Sequence, residues 1–237
     1  MKLTKLIIVL IALAVLGTIA TPACRAEEGV ALAIVYDTSG SMKDPVKDES
    51  GKLTPKYCIA NRALVAIANR IQTFATNTTA GGSRKINAGL FVFRQDGPHP
   101  AIPFGRFDAA ALTTWARGFS APNGGTPLGN TLSAAGNAVL QSGLTRKHVL
   151  VITDGMNTVG PAPAATLAKL QQAAGQAQTG LAVHFVAFDV DAKVFAGVKQ
   201  LGATVVSAAN ESQLSTQLEF ILEKKILLEE EEPPKKQ

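Results

Sequence analysis

The sequence predicts a doubly wound α/β fold with a mainly parallel central sheet flanked by helices. Three observations predict it. Short, wholly apolar runs recur along the chain, as strands buried on both faces require. Amphipathic or alanine-rich stretches of helical period separate them. Acidic and hydroxyl residues follow directly on the ends of two of these runs, where open sheets of this kind bind ligands.

Val30–Tyr36 (VALAIVY) is the first buried strand and ends at Asp37. Lys43–Lys56, charged and bounded by Pro45 and Pro55, reads as a loop. From Lys56 onward Ala60, Leu64, Ile67, Ile71 and Phe74 form one helical stripe, with Arg62 and Arg70 off it. Ala80–Ser83 is a turn and Ala88–Phe93 a second buried strand. Gln95–Gly105 reads as a proline-rich loop holding a short edge strand at Ala101–Phe104. Asp108–Phe119 is helical. Thr126-Pro127 marks the start of the next helix, threonine as cap and proline as first residue, and that helix runs to Gln141. Val149–Thr153 (VLVIT) is a third strand, Pro161–Gln178 a helix and Leu181–Phe188 a fourth strand. Ala192–Leu201 (helix), Thr204–Val206 (strand) and a last helix from Glu211 complete the alternation.

Composition excludes several classes. With 46% hydrophobic and 17% charged residues, the 237-residue chain is neither disordered nor a polytopic membrane protein. Two cysteines and three scattered histidines provide no disulfide framework and no zinc cluster. Lys2 and Lys5 precede an uncharged run, Leu6–Ala20, that is shorter than the roughly 20 residues of a bilayer span. Residues 1–26 therefore read as a secretory signal peptide cleaved after Ala26 or Ala23. The competing readings are a retained membrane anchor and lipidation at Cys24, whose preceding Thr21-Pro22-Ala23 lacks the leucine of a lipobox. These 26 residues carry Lys2, Lys5, Arg25 and no acid, so their removal takes the formal charge from +5 to +2. The remaining basic residues form no stripe with interleaved aromatics, which argues against nucleic acid. Cleavage after Ala26 leaves Cys58 as a lone thiol, buried and inert by expectation; retention of Cys24 would permit a Cys24–Cys58 bridge. Residues 29–228 read as one domain and 229–237 as a charged, solvated tail.

Asp37, Ser39 and Ser41 follow the first strand at alternate positions, so in a near-extended turn their oxygens face one side. Gly40 lets that backbone bend. Thr126 adds a hydroxyl and Asp154, at the end of the third strand, a second carboxylate. Five oxygen-bearing side chains without nitrogen or sulfur suit a hard cation. Magnesium, which keeps several waters and needs few protein ligands, fits best; manganese or calcium are the alternatives. Taken singly, each residue also has a purely structural reading as a turn or capping residue. His99, His148 and His184 have no spaced partners of a zinc site or triad. Neither glycine pair, 81–82 or 124–125, matches a phosphate loop.

These residues, in this order, resemble a von Willebrand factor type A (VWA) domain. Asp37, Ser39 and Ser41 match its Asp-x-Ser-x-Ser motif, Thr126 the threonine of its second loop and Asp154 the aspartate of its third. The phrases DTSGSM, GGTPLGNTL and VLVITDG are similar to bacterial members. The resemblance spans residues 30–222 and implies a Rossmann-like sheet carrying a metal-ion-dependent adhesion site (MIDAS). In that family Ser39, Ser41 and Thr126 would reach the cation, while Asp37 and Asp154 act through water or hydrogen bonds. The implied function is metal-dependent protein binding rather than catalysis. A protein partner supplies an acidic side chain to the open coordination position, without a small-molecule substrate. The Lys43–Lys56 segment is longer than the compact bacterial pattern, and it sits where it could shape partner choice.

The expected product is thus a secreted or periplasmic protein of a bacterial envelope, associated with a membrane only through an uncleaved leader or Cys24. Two alternatives compete. A magnesium-dependent haloacid-dehalogenase-like phosphohydrolase also places an aspartate after its first strand, but needs a second acid where this chain has Ser39. A structural subunit of an envelope assembly would carry the same site idle.

Overall fold

The computed structural model describes residues 26–77, 84–94 and 97–228. The expected leader up to residue 25, the turn at 80–83 and the tail at 229–237 lie outside the described residues. Among the described residues no helix is long and apolar enough to cross a membrane.

Six strands form one sheet. β1 (Glu27–Tyr36) lies at its centre, between β4 (Ile86–Arg94) and β6 (Leu144–Thr153). Beyond β6 come β7 (Ala182–Phe188) and β8 (Thr204–Ala208); beyond β4 comes β5 (Gly97–Arg106). All neighbours are parallel except the β4–β5 pair. The chain moves from β1 to one neighbour and later returns to the other side. The carboxyl ends of β1 and β6 therefore flank the point where strand order reverses.

The β1 sequence shows how both faces are closed. Val30, Leu32, Ile34 and Tyr36 enter one core, while Ala31, Ala33 and Val35 enter the other. The first core is completed by α1 (Lys56–Thr76), α2 (Ala109–Gly118) and α6 (Glu211–Ile221), with the π-helical extension Leu222–Leu227. Ala60, Leu64, Ile67 and Ile71 of the stripe read from the sequence are buried in it with Phe74 partly buried, and Ile59 joins them. Each large aliphatic chain so buried contributes about 1.5–3 kcal/mol. The second core belongs to α3 (Leu128–Leu140), α4 (Pro163–Gln176) and α5 (Ala196–Gln200). The small side chains of Ala31 and Ala33 face this second core, in which Leu128, Leu132 and Ala135 of α3 are buried.

Three expectations need correction. Lys43–Lys56 is not a plain loop: it contains a hairpin of β2 (Pro45–Lys47) and β3 (Leu53–Pro55). Asp48 builds its turn by accepting from the backbone N–H groups of Ser50 and Lys52 and the hydroxyls of Ser50 and Thr54. Those bonds hold the exposed Asp48 carboxyl at about 2, below its usual range. The hairpin is also tied down, because the Glu49 N–H donates to Glu211, which is paired with Arg62 of α1. Gln95–Gly105 is likewise no loop with a four-residue strand, since β5 runs through Pro98, Pro100 and Pro103. An edge strand tolerates missing donors, and its pairing to β4 is interrupted by register shifts. Thr126 is not a helix cap: α3 starts at Leu128 after Pro127, without a side-chain cap bond. Elsewhere the boundaries agree within a few residues, the largest extension being β6, which begins at Leu144.

His148 and His184 are structural, as expected of histidines within strands. They stack on neighbouring β6 and β7 with ring centroids 5.7 Å apart, Nδ1 of His148 lying 3.4 Å from Nε2 of His184. Burial first, then the His184 ring and Arg146, push His148 down to about 3. Burial and Lys225 push His184 down to about 4. Both are thus neutral in the folded protein where an unfolded chain at pH 4–6.5 would bind protons. The stability they hold is complete above pH 6.5 and is lost as pH falls towards 4, on the order of a few kcal/mol. The melting temperature should therefore drop between pH 7 and 4.5. A His148→Leu/His184→Leu protein should lose much of that slope; an unchanged slope would place its origin elsewhere.

Candidate metal centre

The site forms where three loops meet above β1 and β6. The first leaves β1 at Asp37. Asp37 is fully buried and both its oxygens are engaged. Oδ1 accepts the Ser39 N–H at 2.8 Å, and Oδ2 accepts the Thr153 hydroxyl at 2.5 Å. Asp37 therefore orients the loop rather than facing solvent. Ser39 is extended, and Gly40–Lys43 then forms a 3-10 turn over the buried Met42. The near-extended geometry expected from the alternate spacing is replaced by this extended-then-turn path, which still brings the Ser39 and Ser41 hydroxyl oxygens to 3.1 Å. Gly40 does not take a positive φ; its N–H donates to the Gly124 carbonyl at 3.0 Å, stitching the first loop to the second.

The second loop carries Thr126. Asn123 donates its N–H to the Thr38 carbonyl, and Gly124 turns with φ +78°, a conformation that favours glycine. The backbone of Thr126 is clamped on both sides by Thr158: its N–H donates to the Thr158 hydroxyl at 2.8 Å, and its carbonyl accepts the Thr158 N–H at 3.0 Å. Gly129 permits the third loop to cross α3, since a Cβ there would lie 1.9 Å from the Pro161 carbonyl oxygen. Its N–H donates to the Asn157 side chain at 2.9 Å.

The third loop begins at Asp154. Its Oδ1 accepts the Ser41 hydroxyl at 2.9 Å, which joins the first and third loops directly. A Cβ built on Gly155 would sit 3.9 Å from both the Ser41 and the Thr126 hydroxyl oxygens, so Thr126 faces the same small space. All five residues found by sequence therefore lie at one corner of the sheet. Ser39, Ser41 and Thr126 contribute hydroxyls there, and Asp37 and Asp154 sit behind them as hydrogen-bond acceptors.

The electrostatics match that division. Burial first, and then the Asp154 charge, raise the Asp37 carboxyl to about 6 against the hydrogen bonds from Ser39 and Thr153 that favour its ionised form. Two carboxylates confined together are a poor arrangement unless a positive charge is near. Neutral hydroxyls offset none of it, so the set fits a hard divalent cation whose charge the carboxylates complement.

Sequence reasoning missed one positive charge already present. Lys56, first residue of α1 and buried, places its ammonium 3.0 Å from Asp154 Oδ2 and 3.1 Å from Asp189 Oδ2. Burial alone would pull this ammonium down; the hydrogen bonds and charges of Asp154 and then Asp189 outweigh it, leaving its pKa raised. Thr153, Thr158 and Asn157 were missed as well, and only their position beside Asp154 could have suggested them. Cys58 is free and half-buried on α1, rather than fully enclosed.

An α/β domain with a hydroxyl-lined, carboxylate-backed corner at the switch point of a mostly parallel sheet defines a class of doubly wound domains. The chain belongs to one family of that class: residues 31–221 match the von Willebrand factor type A domain. Comparison with curated proteins finds none that matches. Solved structures share the fold at low identity. The D319A mutant of the PilB minor pilin from Streptococcus sanguinis superposes with TM-score 0.60 at 16% identity, over 86% of this chain and 63% of the pilin. Proximal thread matrix protein 1 from the mussel byssus, with a zinc-occupied MIDAS motif, gives 0.61 at 19% identity, over 84% of this chain and 48% of that one. The vWF domain of the type V pili tip protein Mfa5 from Porphyromonas gingivalis gives 0.57 at 14%, over 84% and 96% respectively. This chain thus spans about half to two thirds of the first two proteins.

Asp37→Asn removes one of the two confined negative charges while keeping an oxygen for the Ser39 N–H. In the presence of a chelator at pH 7 the variant should melt at or above the wild-type temperature. A drop of many degrees would show that the Asp37 charge supports the metal-free fold.

Proposed function

We propose that this protein is a secreted or periplasmic VWA protein that holds a divalent cation, magnesium by its donor chemistry, and uses it to capture an acidic side chain of a protein partner. The observation that carries this reading is the meeting of the Ser39, Ser41 and Thr126 hydroxyls with Asp154 at one corner of the sheet. When bound, the cation supplies an electrophilic, incompletely neutralised centre. The chain's own residues hold it, back it with charge and frame the opening. The zinc-occupied MIDAS of the mussel protein supports a cation in a fold of this kind, and a minor pilin and a pili tip protein among similar folds support a surface role.

The rim suits a protein partner. Met156 and Val159, on the loop that follows Asp154, are 63% and 53% exposed. Beside a polar centre, two such apolar side chains offer contact area to a protein partner. Lys43 and Lys47 on the hairpin side are exposed as well, interspersed with the exposed Asp44 and Glu49.

The phosphohydrolase alternative gains Lys56 and Asp189 but loses its nucleophile. Asp37 is buried with both oxygens occupied, and Ser39 stands where a second acid is required.

Magnesium at about 100 times its dissociation constant should stabilise the protein by roughly 2.7 kcal/mol. Asp37→Ala should abolish both that shift and magnesium-dependent capture of a partner. An unchanged melting curve after chelation and magnesium addition would refute the cation reading. Met156→Ser/Val159→Ser should weaken partner capture about tenfold or more while leaving the magnesium shift intact. Loss of the magnesium shift in that variant would instead assign the two residues to the metal site.

A further inference from the structure

We propose that Lys56 is a built-in competitor of the cation, so that the Lys56–Asp154–Asp189 bridge sets how tightly this site holds a divalent ion. The inference rests on the cation reading above and concerns residues that lie outside the Asp-x-Ser-x-Ser, threonine and aspartate set.

The geometry is specific. Asp154 has two carboxylate oxygens, and both are committed: Oδ1 to the Ser41 hydroxyl at 2.9 Å and Oδ2 to the Lys56 ammonium at 3.0 Å. Side-chain exposure is 6% for Lys56 and 0% for Asp154, so little water screens this pair. The ammonium thus does part of what a metal ion would do at this corner: it compensates a buried carboxylate. A second positive charge arriving beside it meets a site already half neutralised.

Asp189 adjusts that competition. It leaves β7 with φ +56°, an uncommon conformation for a residue other than glycine, and its N–H is fixed to the Ala208 carbonyl at 2.7 Å. The turn aims its carboxylate at the far side of the same ammonium, 3.1 Å away. Part of the lysine's charge is thereby drawn from Asp154, which leaves Asp154 more negative towards the hydroxyl cluster. Lys56 itself is held by the start of α1, where its N–H donates to the Asp44 carbonyl at 3.0 Å. The lysine is therefore placed by the same hairpin connection that follows Ser41, and bridges the ends of β6 and β7.

The two partners make opposite predictions. Lys56→Met keeps an unbranched side chain one atom shorter and removes its charge; magnesium should then bind about tenfold or more tightly by calorimetric titration. Asp189→Asn leaves the ammonium wholly on Asp154 and should weaken magnesium binding severalfold. Asparagine tolerates the positive φ, and the Asp189 side chain is 41% exposed, so this variant is expected to fold even where Lys56→Met does not. Lys52→Met, on the exposed hairpin, controls for general charge and should stay within about twofold of wild type. Opposite shifts for Lys56→Met and Asp189→Asn, with Lys52→Met unmoved, support the proposal. Equal affinities, or shifts in the same direction, overturn it while leaving the cation reading intact. Binding by Lys56→Met where the wild type shows none supports it. No magnesium binding by any of the proteins overturns both this inference and the cation reading.

Discussion

Two carboxylates end adjacent strands and share one nearly water-free corner, and the top of this sheet is arranged around that fact. Asp37 and Asp154 are both buried, and the second raises the protonation equilibrium of the first. Burying like charges together is costly unless donors or cations compensate them. The Ser39 N–H, the Thr153 and Ser41 hydroxyls and the Lys56 ammonium are all spent on this compensation. The loops adopt their paths because those donors have to reach the acids. The polar corner is thus a consequence of strand register as well as of loop sequence, since β1 and β6 pair from Val30–Arg146 through Tyr36–Ile152, which sets Asp37 beside Thr153 and one step from Asp154.

The same register explains how a sheet with so few polar residues carries such a site. All seven residues from Val30 to Tyr36 alternate between the two cores. The last apolar residue, Tyr36, is also the last ladder partner of Ile152. The change from apolar packing to polar loop occurs at one step, Tyr36 to Asp37 on one strand and Ile152 to Thr153 on the next. A rigid apolar floor therefore lies directly beneath the hydroxyls, and it is this floor that allows three loops of irregular backbone to hold atoms within about 3 Å of one another.

Much of this was legible in the sequence, because the strong signals are local. A continuous apolar run followed by an acid identifies β1, and the Asp-x-Ser-x-Ser spacing survives even though the backbone path between the serines differs from the extended one assumed. What was not legible is long-range or conformational. Lys56 stands in a stretch with six other charged residues within thirteen positions before it, and nothing nearby singles it out. Its partners are 98 and 133 residues away, and only the sheet order brings them together. Asp189 is recognisable as a site residue only through its 3.1 Å contact with the Lys56 ammonium. The β2–β3 hairpin was hidden because its strands are only three residues long and lie in a charged stretch, while its turn combines Gly51 at φ +82° with side-chain hydrogen bonds to Asp48. The full length of β5 was hidden because three prolines in ten residues argue against a strand, and only an edge position makes them acceptable.

The distribution of charge around the corner has a consequence for how such a domain can work. A cation held by neutral hydroxyls and backed by carboxylates keeps a large share of its positive field directed outward, away from the floor. An ammonium placed behind Asp154 lowers the negative charge available to that cation without blocking the hydroxyl side. Under the proposed function this arrangement would separate two properties that a plain carboxylate cage couples: how strongly an ion is held, and how strongly it attracts an incoming acid. Weakening the first from behind leaves the second exposed at the front, where Met156 and Val159 stand. Adhesion through such a site depends on both, since an ion held by too many carboxylates would be fully neutralised and would offer nothing to a partner.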